Sequence, residues 1–299
     1  MRQSGLLRFG SIPTNRLIWM KIALASIATC MLIPNLGPAQ SASGSSVGKD
    51  AHGSTHQKGR FEEPDALNFS DHDGYVSLFN GKSLKGWDGD PTYWRVEDGA
   101  IVGESTPEHP LGNTYISYHG TKAKDFDLKL EIKVEKGGGS GIQYRSRVGL
   151  PWIHPEEHQQ PSNPNPNWIM TGPQADIWDP VNPQASKFSG QFYSENTNFG
   201  ILAWRGEVVV SAKGLNPRLM GLIGDRTTLG GSVHLNDWNE YTIIARGGTF
   251  LHIMNGQLMS VYVDDNPDSS NNQRGLIGIE LEATPTKVSV RNVWLRKIH

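Results

Sequence analysis

Cysteine is nearly missing: the 299-residue chain carries one, Cys30. A disulfide framework, a cysteine-rich zinc module and thiolate catalysis in the folded part are excluded on that ground. Charge is also sparse, at 19% of residues with a formal net charge of −2. That excludes the strongly basic surface needed for non-specific nucleic-acid binding. No segment sustains a 3.6-residue apolar period, so a helical bundle or coiled coil is excluded as well. The apolar run from Ile22 to Ile33 falls short of the roughly 20 residues that span a bilayer, so no membrane span is expected.

What is present is glycine, proline and tryptophan: 34 Gly, 18 Pro and nine Trp. This is the turn-rich balance of an all-β chain. Arg2, Arg8, Arg16 and Lys21 precede the apolar run, no acid comes before Asp50, and Ala39, Ser41 and Ala42 follow it. Residues 1–42 therefore read as a signal peptide, with export to the periplasm or the extracellular space. IATC (27–30) resembles a bacterial lipoprotein box, which would make Cys30 a lipidated anchor. Residues 43–72 have the Ser, Gly, His and Asp content of a flexible linker, and 73–299 read as one domain.

Within that domain, Phe126, Leu128, Leu130, Ile132 and Val134 alternate with Asp127, Lys129, Glu131, Lys133 and Glu135, the period of a half-buried strand. Short runs of the same kind recur from YWRVED (93–98) to KVSVRNVWLRKI (287–298). Asp98-Gly99, Gly247-Gly248 and Asn255-Gly256 supply the positive-φ dipeptides of tight hairpins. The expected fold is an antiparallel β-sandwich of jelly-roll type. The proline-rich segment 151–173 breaks the rhythm and reads as a long irregular loop. It contains HPEEH (154–158), which formally fits a zinc-protease pattern, but its prolines allow no sustained helix.

Candidate site residues emerge from asking which strand faces point outward. In SGIQYRS, Ile142 and Tyr144 share one face, leaving Gly141, Gln143 and Arg145 on the other. The same test turns Gln174 and Asp176 outward in QADIW, Gln191, Tyr193 and Glu195 in GQFYSE, and Glu280 and Glu282 in LIGIELE. Ordinary solvated faces favour Thr, Lys and Glu. Gln, Asp, Arg and Tyr, with Trp178 nearby, suit sugar hydroxyls and a ring face better. A concave saccharide cleft is the expectation.

The ordered series SLFNGKSLKGW (77–87), YWRVEDGAIVGE (93–104), DFDLKLEIKV (125–134), GGGSGIQYRSR (137–147), GPQADI (172–177), FGILAWRGEVVV (199–210), WNEYTIIARGGTFLHIMNGQLMS (238–260) and VRNVWL (290–295) resembles the DUF1080 or 3-keto-disaccharide hydrolase domain family over about residues 73–298. The resemblance implies a concanavalin-like jelly roll acting on glycosides whose sugar is first oxidised to a ketone at carbon 3, hence an upstream sugar 3-oxidoreductase. It also implies recurrent polar positions at Arg145, Gln174, Asp176 and Glu195. The chain departs from the family pattern at Gly139-Ser140-Gly141, at Asn196-Thr197-Asn198-Phe199-Gly200, and at Glu280 and Glu282, where Gln and His are usual.

Gln174 stands where a retaining jelly-roll glucanase would carry its nucleophilic carboxylate, and an amide cannot serve there. A 3-keto sugar needs no nucleophile: a base takes the proton on carbon 2 and the aglycone leaves carbon 1 by β-elimination, after which water adds. The expected roles are Asp176 and Glu195 as base and acid in either order, and Arg145 and Gln174 at the ketone and hydroxyls. Tyr193 and Trp178 pack the sugar, and Gln143, Glu280 and Glu282 bind substrate. The scheme requires no cofactor; a divalent metal (Ca, Mg or Mn) on Asp176, Glu195 and Glu282 is the alternative. A non-catalytic laminin-G or lectin-like carbohydrate-binding module is the competing functional class.

Overall fold

The computed structural model describes residues 66–153, 165–283 and 285–298. The segment read as a signal peptide, Cys30 and HPEEH lie outside the described residues. Seventeen strands are present among the described residues. They are β1 (Val76–Ser77), β2 (Trp87–Asp88), β3 (Trp94–Glu97), β4 (Ala100–Ser105), β5 (Thr114–Ala123) and β6 (Phe126–Glu135), then β7 (Gly139–Val148), β8 (Met170–Trp178), β9 (Phe192–Glu195), β10 (Gly200–Ala203), β11 (Glu207–Ala212) and β12 (Leu215–Leu222), and finally β13 (Asn239–Arg246), β14 (Thr249–Met254), β15 (Gln257–Asp264), β16 (Gly275–Leu281) and β17 (Thr286–Lys297). One five-residue helix, α1 (Arg226–Gly230), follows β12.

Two sheets form a sandwich. The larger runs β12-β11-β15-β14-β13-β6-β17-β4-β3 with β1 beside β17, and the smaller runs β10-β9-β8-β7-β16-β5-β2. All pairs are antiparallel except β11 with β15. The apolar face of β6 enters the core as its alternation demands, with Phe126, Leu128, Leu130, Ile132 and Val134 all buried. They meet Ile142, Tyr144, Ala175, Ile177, Phe192 and Ile279 from the smaller sheet. Asp98-Gly99 and Asn255-Gly256 take positive φ at both residues, as two-residue hairpins require.

Two expectations need correction. The irregular segment ends before residue 173, because β8 already starts at Met170. Pro173 is tolerated inside that strand because β7 bulges opposite it: the register shifts between Gln143 and Arg147, so no ladder N–H is required there. The second is the linker, since residues 66–72 are not a free spacer. Lys129 Nζ donates to the carbonyls of Asn68 (2.8 Å) and Asp71 (2.6 Å), and His72 stacks on Trp294 at 4.4 Å. One further strand, β12, pairs with β11 although LNPRLMGL shows no alternation. Its residues are largely exposed on both faces, so no core constraint imprints a period on it.

Candidate functional site

The outer face of the smaller sheet is divided. One part is sealed by an apolar cluster of Tyr115, Trp152, Ile169, Met170 and Leu276. The other holds a cleft of about 220 Å³ lined by Asn113, Gln174, Asp176, Trp178, Phe188, Gln191, Tyr193, Glu195, Ile201 and Glu282. A larger groove of about 650 Å³ lies on the other sheet, over Asp127, Lys129 and Arg246. There Asp127 accepts from Arg246 and Arg296, and Lys129 holds the 66–72 segment. The smaller cleft, which gathers the candidate residues, is the candidate site.

Strand alternation explains the convergence. Gln174, Asp176 and Trp178 succeed one another on one face of β8, while Tyr193 and Glu195 share a face of the adjacent β9. Gln174 occupies the centre. Its Nε2 donates to Asp176 Oδ1 (2.8 Å) and Glu280 Oε2 (2.6 Å), and its Oε1 accepts from Gln143 Nε2. The amide needs a missing side chain to lie there, since a Cβ on Gly141 would sit 2.2 Å from Gln174 Nε2. Gln191 Nε2 donates to Asp176 Oδ2 at 2.5 Å. Glu280 Oε1 accepts from Asn113 Nδ2 and Tyr115 Oη, both at 2.8 Å, and Glu195 Oε1 accepts the Asn196 N–H at 3.2 Å.

Polar groups from the facing sheet hold the backbone from beneath. Tyr241 Oη donates to the Asp176 carbonyl at 3.2 Å. His252 Nδ1 lies 3.1 Å from the Gln191 carbonyl, and its Nε2 lies 2.8 Å from Tyr144 Oη. The carbonyl can only accept, so Nδ1 carries the hydrogen and Nε2 accepts from the tyrosine. Burial pushes the His252 pKa down to about 3, which keeps this imidazole neutral.

Four carboxyls share the cluster. Burial pushes the Asp176 pKa up to about 8 against the two amide donors, with a further push from Glu282. Glu195 and Glu280 are raised well above the carboxylate range, first by burial, then by repulsion from Glu282 and from one another or Asp176. Glu282, half-buried at the rim, is raised by burial while an Asn113 hydrogen bond opposes it. Tyr193 is likewise pushed up by burial and these carboxyls, so its hydroxyl stays protonated. Such a cluster holds protons at neutral pH, the condition for a carboxyl to act as an acid.

Asp176, Glu195, Gln174, Tyr193, Trp178 and Glu282 are thus brought together on one cleft. Gln143 and Glu280 are fully buried in the layer beneath it, where they orient Gln174 rather than meet a ligand. Arg145 is turned away altogether. The β7 bulge gives it φ +50°, which breaks the alternation by which it was assigned outward. Its buried guanidinium donates to the carbonyls of Lys124, Gly247 and Asn271 and to Asp125 Oδ1. Among the described residues no three His, Cys, Asp or Glu are grouped to hold a metal, and both Asp176 oxygens face amide hydrogens where an ion would sit. Sequence reasoning missed Asn113 and Tyr115, although NTYISY alternates so as to place both outward, and it missed Phe188, which sits in a 3₁₀ turn with no period to read.

The family model described as the 3-keto-alpha-glucoside-1,2-lyase-like domain matches residues 74–296. The chain belongs to this family. A curated protein named 3-keto-disaccharide hydrolase, from Bacteroides thetaiotaomicron, is 41% identical over 83 residues, which cover 25% of this chain and 28% of that protein. The match thus spans little more than a quarter of that relative's length. Among solved structures, a candidate glycosyl hydrolase from Parabacteroides distasonis aligns with TM-score 0.47 and 17% identity, over 75% of this chain and 99% of that one. A Bacillus subtilis protein of unknown function with a galectin-like fold aligns with TM-score 0.46 and 12% identity, over 72% and 90%. Among the described residues no helix is long and apolar enough to cross a membrane.

Proposed function

We propose that this family member cleaves 3-keto-glycosides by β-elimination followed by hydration. The observation that carries the reading is the proton-holding carboxyl cluster on a sugar-sized cleft, in a domain of the 3-keto-alpha-glucoside-1,2-lyase-like family. Glu195 acts as base: its elevated pKa makes it a strong proton acceptor once ionised. It takes the proton from carbon 2, whose electrons form the carbon 1–carbon 2 double bond as the carbon 1–oxygen bond breaks. Asp176, protonated at neutral pH, gives its proton to the departing oxygen. Water then adds its oxygen to carbon 1 and a proton to carbon 2, giving net hydrolysis.

With Arg145 elsewhere and both hydrogens of Gln174 already donated, the keto oxygen falls to the Tyr193 hydroxyl, a neutral donor on the cleft wall. The substrate's ketone requires a sugar 3-oxidoreductase upstream, and residues 1–42 route the enzyme outside the cytoplasm.

The test uses the purified protein and a 3-keto-glucoside with a chromogenic aglycone. Release by the parent, with a fall of about 10²-fold or more in D176N and E195Q, supports the roles. Binding without release would instead support the carbohydrate-binding module.

A further inference from the structure

The cleft is polarised along β8. Gln174, Asp176 and Gln191 hold one end, whereas Trp178 and Phe188 form the other wall, with the Glu282 N–H bonded to Gly139 beneath the Trp178 ring. Trp178 lies two residues beyond Asp176 on the same strand face, roughly 7 Å along the strand. Its indole is laid flat on the sheet: a Cβ on Gly139 would meet ring atoms Cε2, Cδ2 and Cζ2 at 2.6, 2.7 and 2.8 Å. The opposite ring face is therefore the one that borders the cleft. Phe188 sits tilted against Trp178 at 6.0 Å and stacks on Trp204 at 5.7 Å, and the Arg226 guanidinium closes the row 4.5 Å from Trp204.

This row is held in place, and the polar groups buried behind it are already engaged, while the exposed Lys187 ammonium lies 5.1 Å over the Phe188 ring. Buried Arg205 donates to the Ser186, Ser189 and Arg226 carbonyls, tying the Phe188 turn to α1. Ser189 Oγ is bound by the Trp178 backbone, and Arg226 donates to Glu207. A second sugar lying here would find few partners for its hydroxyls. An anionic group would meet the carboxyls of the same cleft.

We propose that the Trp178–Phe188 end is the leaving-group subsite and that it takes a flat, uncharged aromatic aglycone. This rests on the function proposed above and extends it to a substrate class: the keto-sugar occupies the carboxyl end and the aryl ring stacks on Trp178, with Phe188 at its edge.

The experiment compares kcat/KM for phenyl and methyl 3-keto-glucosides in the parent and in F188L and W178L. Leaving-group chemistry cancels when the phenyl-to-methyl ratio of each variant is divided by that of the parent. That quotient is expected to fall about tenfold. Calorimetric titration with unoxidised phenyl glucoside, methyl glucoside and a glucose disaccharide gives a readout that needs no turnover. Phenyl glucoside should bind best and lose about tenfold in F188L, with melting temperature checked beside it. An unchanged quotient with active parent enzyme overturns the subsite and leaves the function standing. Selective phenyl binding by a parent that cleaves neither substrate supports the subsite and removes the function. A disaccharide that binds better than phenyl glucoside and alone suffers in F188L overturns the aromatic assignment.

Discussion

Replacing Asp176 with Asn should make the protein more stable, increasingly so as pH rises. Burial moves this carboxyl from 3.8 to about 8. The folded state thus holds its proton more tightly than the unfolded chain. The resulting stability is fully present below about pH 4 and is lost as pH climbs through 8. At 1.36 kcal/mol per pH unit, the ceiling on that loss is about 6 kcal/mol. Glu195, Glu280 and Glu282 redistribute protons within the cluster, so about a third of the ceiling, ~2 kcal/mol, is the expected gain of D176N over the parent between pH 5 and pH 9. For a domain of this size that is about 4–8 °C in melting temperature. The substituted amide can be accommodated, because Gln191 Oε1 is a buried oxygen without a hydrogen-bond partner and a side-chain flip would present it to the new N–H. Thermal melts by circular dichroism across that pH range provide the assay. A melting difference that stays flat with pH, or one that shrinks on the alkaline side, would refute the buried, proton-holding assignment.

Two further outcomes follow from the same geometry. Activity on a 3-keto-glucoside should fall above about pH 8 as Asp176 ionises, and this alkaline limb should disappear from the residual activity of D176N; a pH–rate profile decides it. R145K should cost about 2–4 kcal/mol of stability, read by urea unfolding, because a lysine cannot reach the carbonyls of Lys124, Gly247 and Asn271 together; a loss confined to KM would return Arg145 to the substrate site.

Much of the fold is legible in residues whose neighbours are regular. The β6 alternation, the Asp98-Gly99 and Asn255-Gly256 turns and the outward Gln174, Asp176 and Glu195 depend only on local period and turn chemistry. Arg145 fails because a bulge inserts one irregular step, after which counting by twos assigns the wrong face. The bulge also absorbs Pro173, so one local event hides both the start of β8 and the true role of the arginine. Depth was harder still: alternation shows that Gln143 and Glu280 leave the core, but not that Tyr115, Trp152 and Met170 cover that side of the sheet and turn their neighbourhood into a second interior. Phe188 and β12 carry no period at all, the one in a 3₁₀ turn and the other at an exposed edge.

The hydroxyl of Tyr241 and the imidazole of His252 reach from one layer of the sandwich to the main chain of Asp176 and Gln191 in the other. The two layers are thereby keyed to each other beneath the cleft, and a slip of one across the other would carry the Asp176 carboxyl out of line with its amides. Repacking the interior of this protein is consequently never remote from the cleft, and variants selected for a tighter hydrophobic centre must keep these two crosspieces or lose the alignment of its carboxyls and amides.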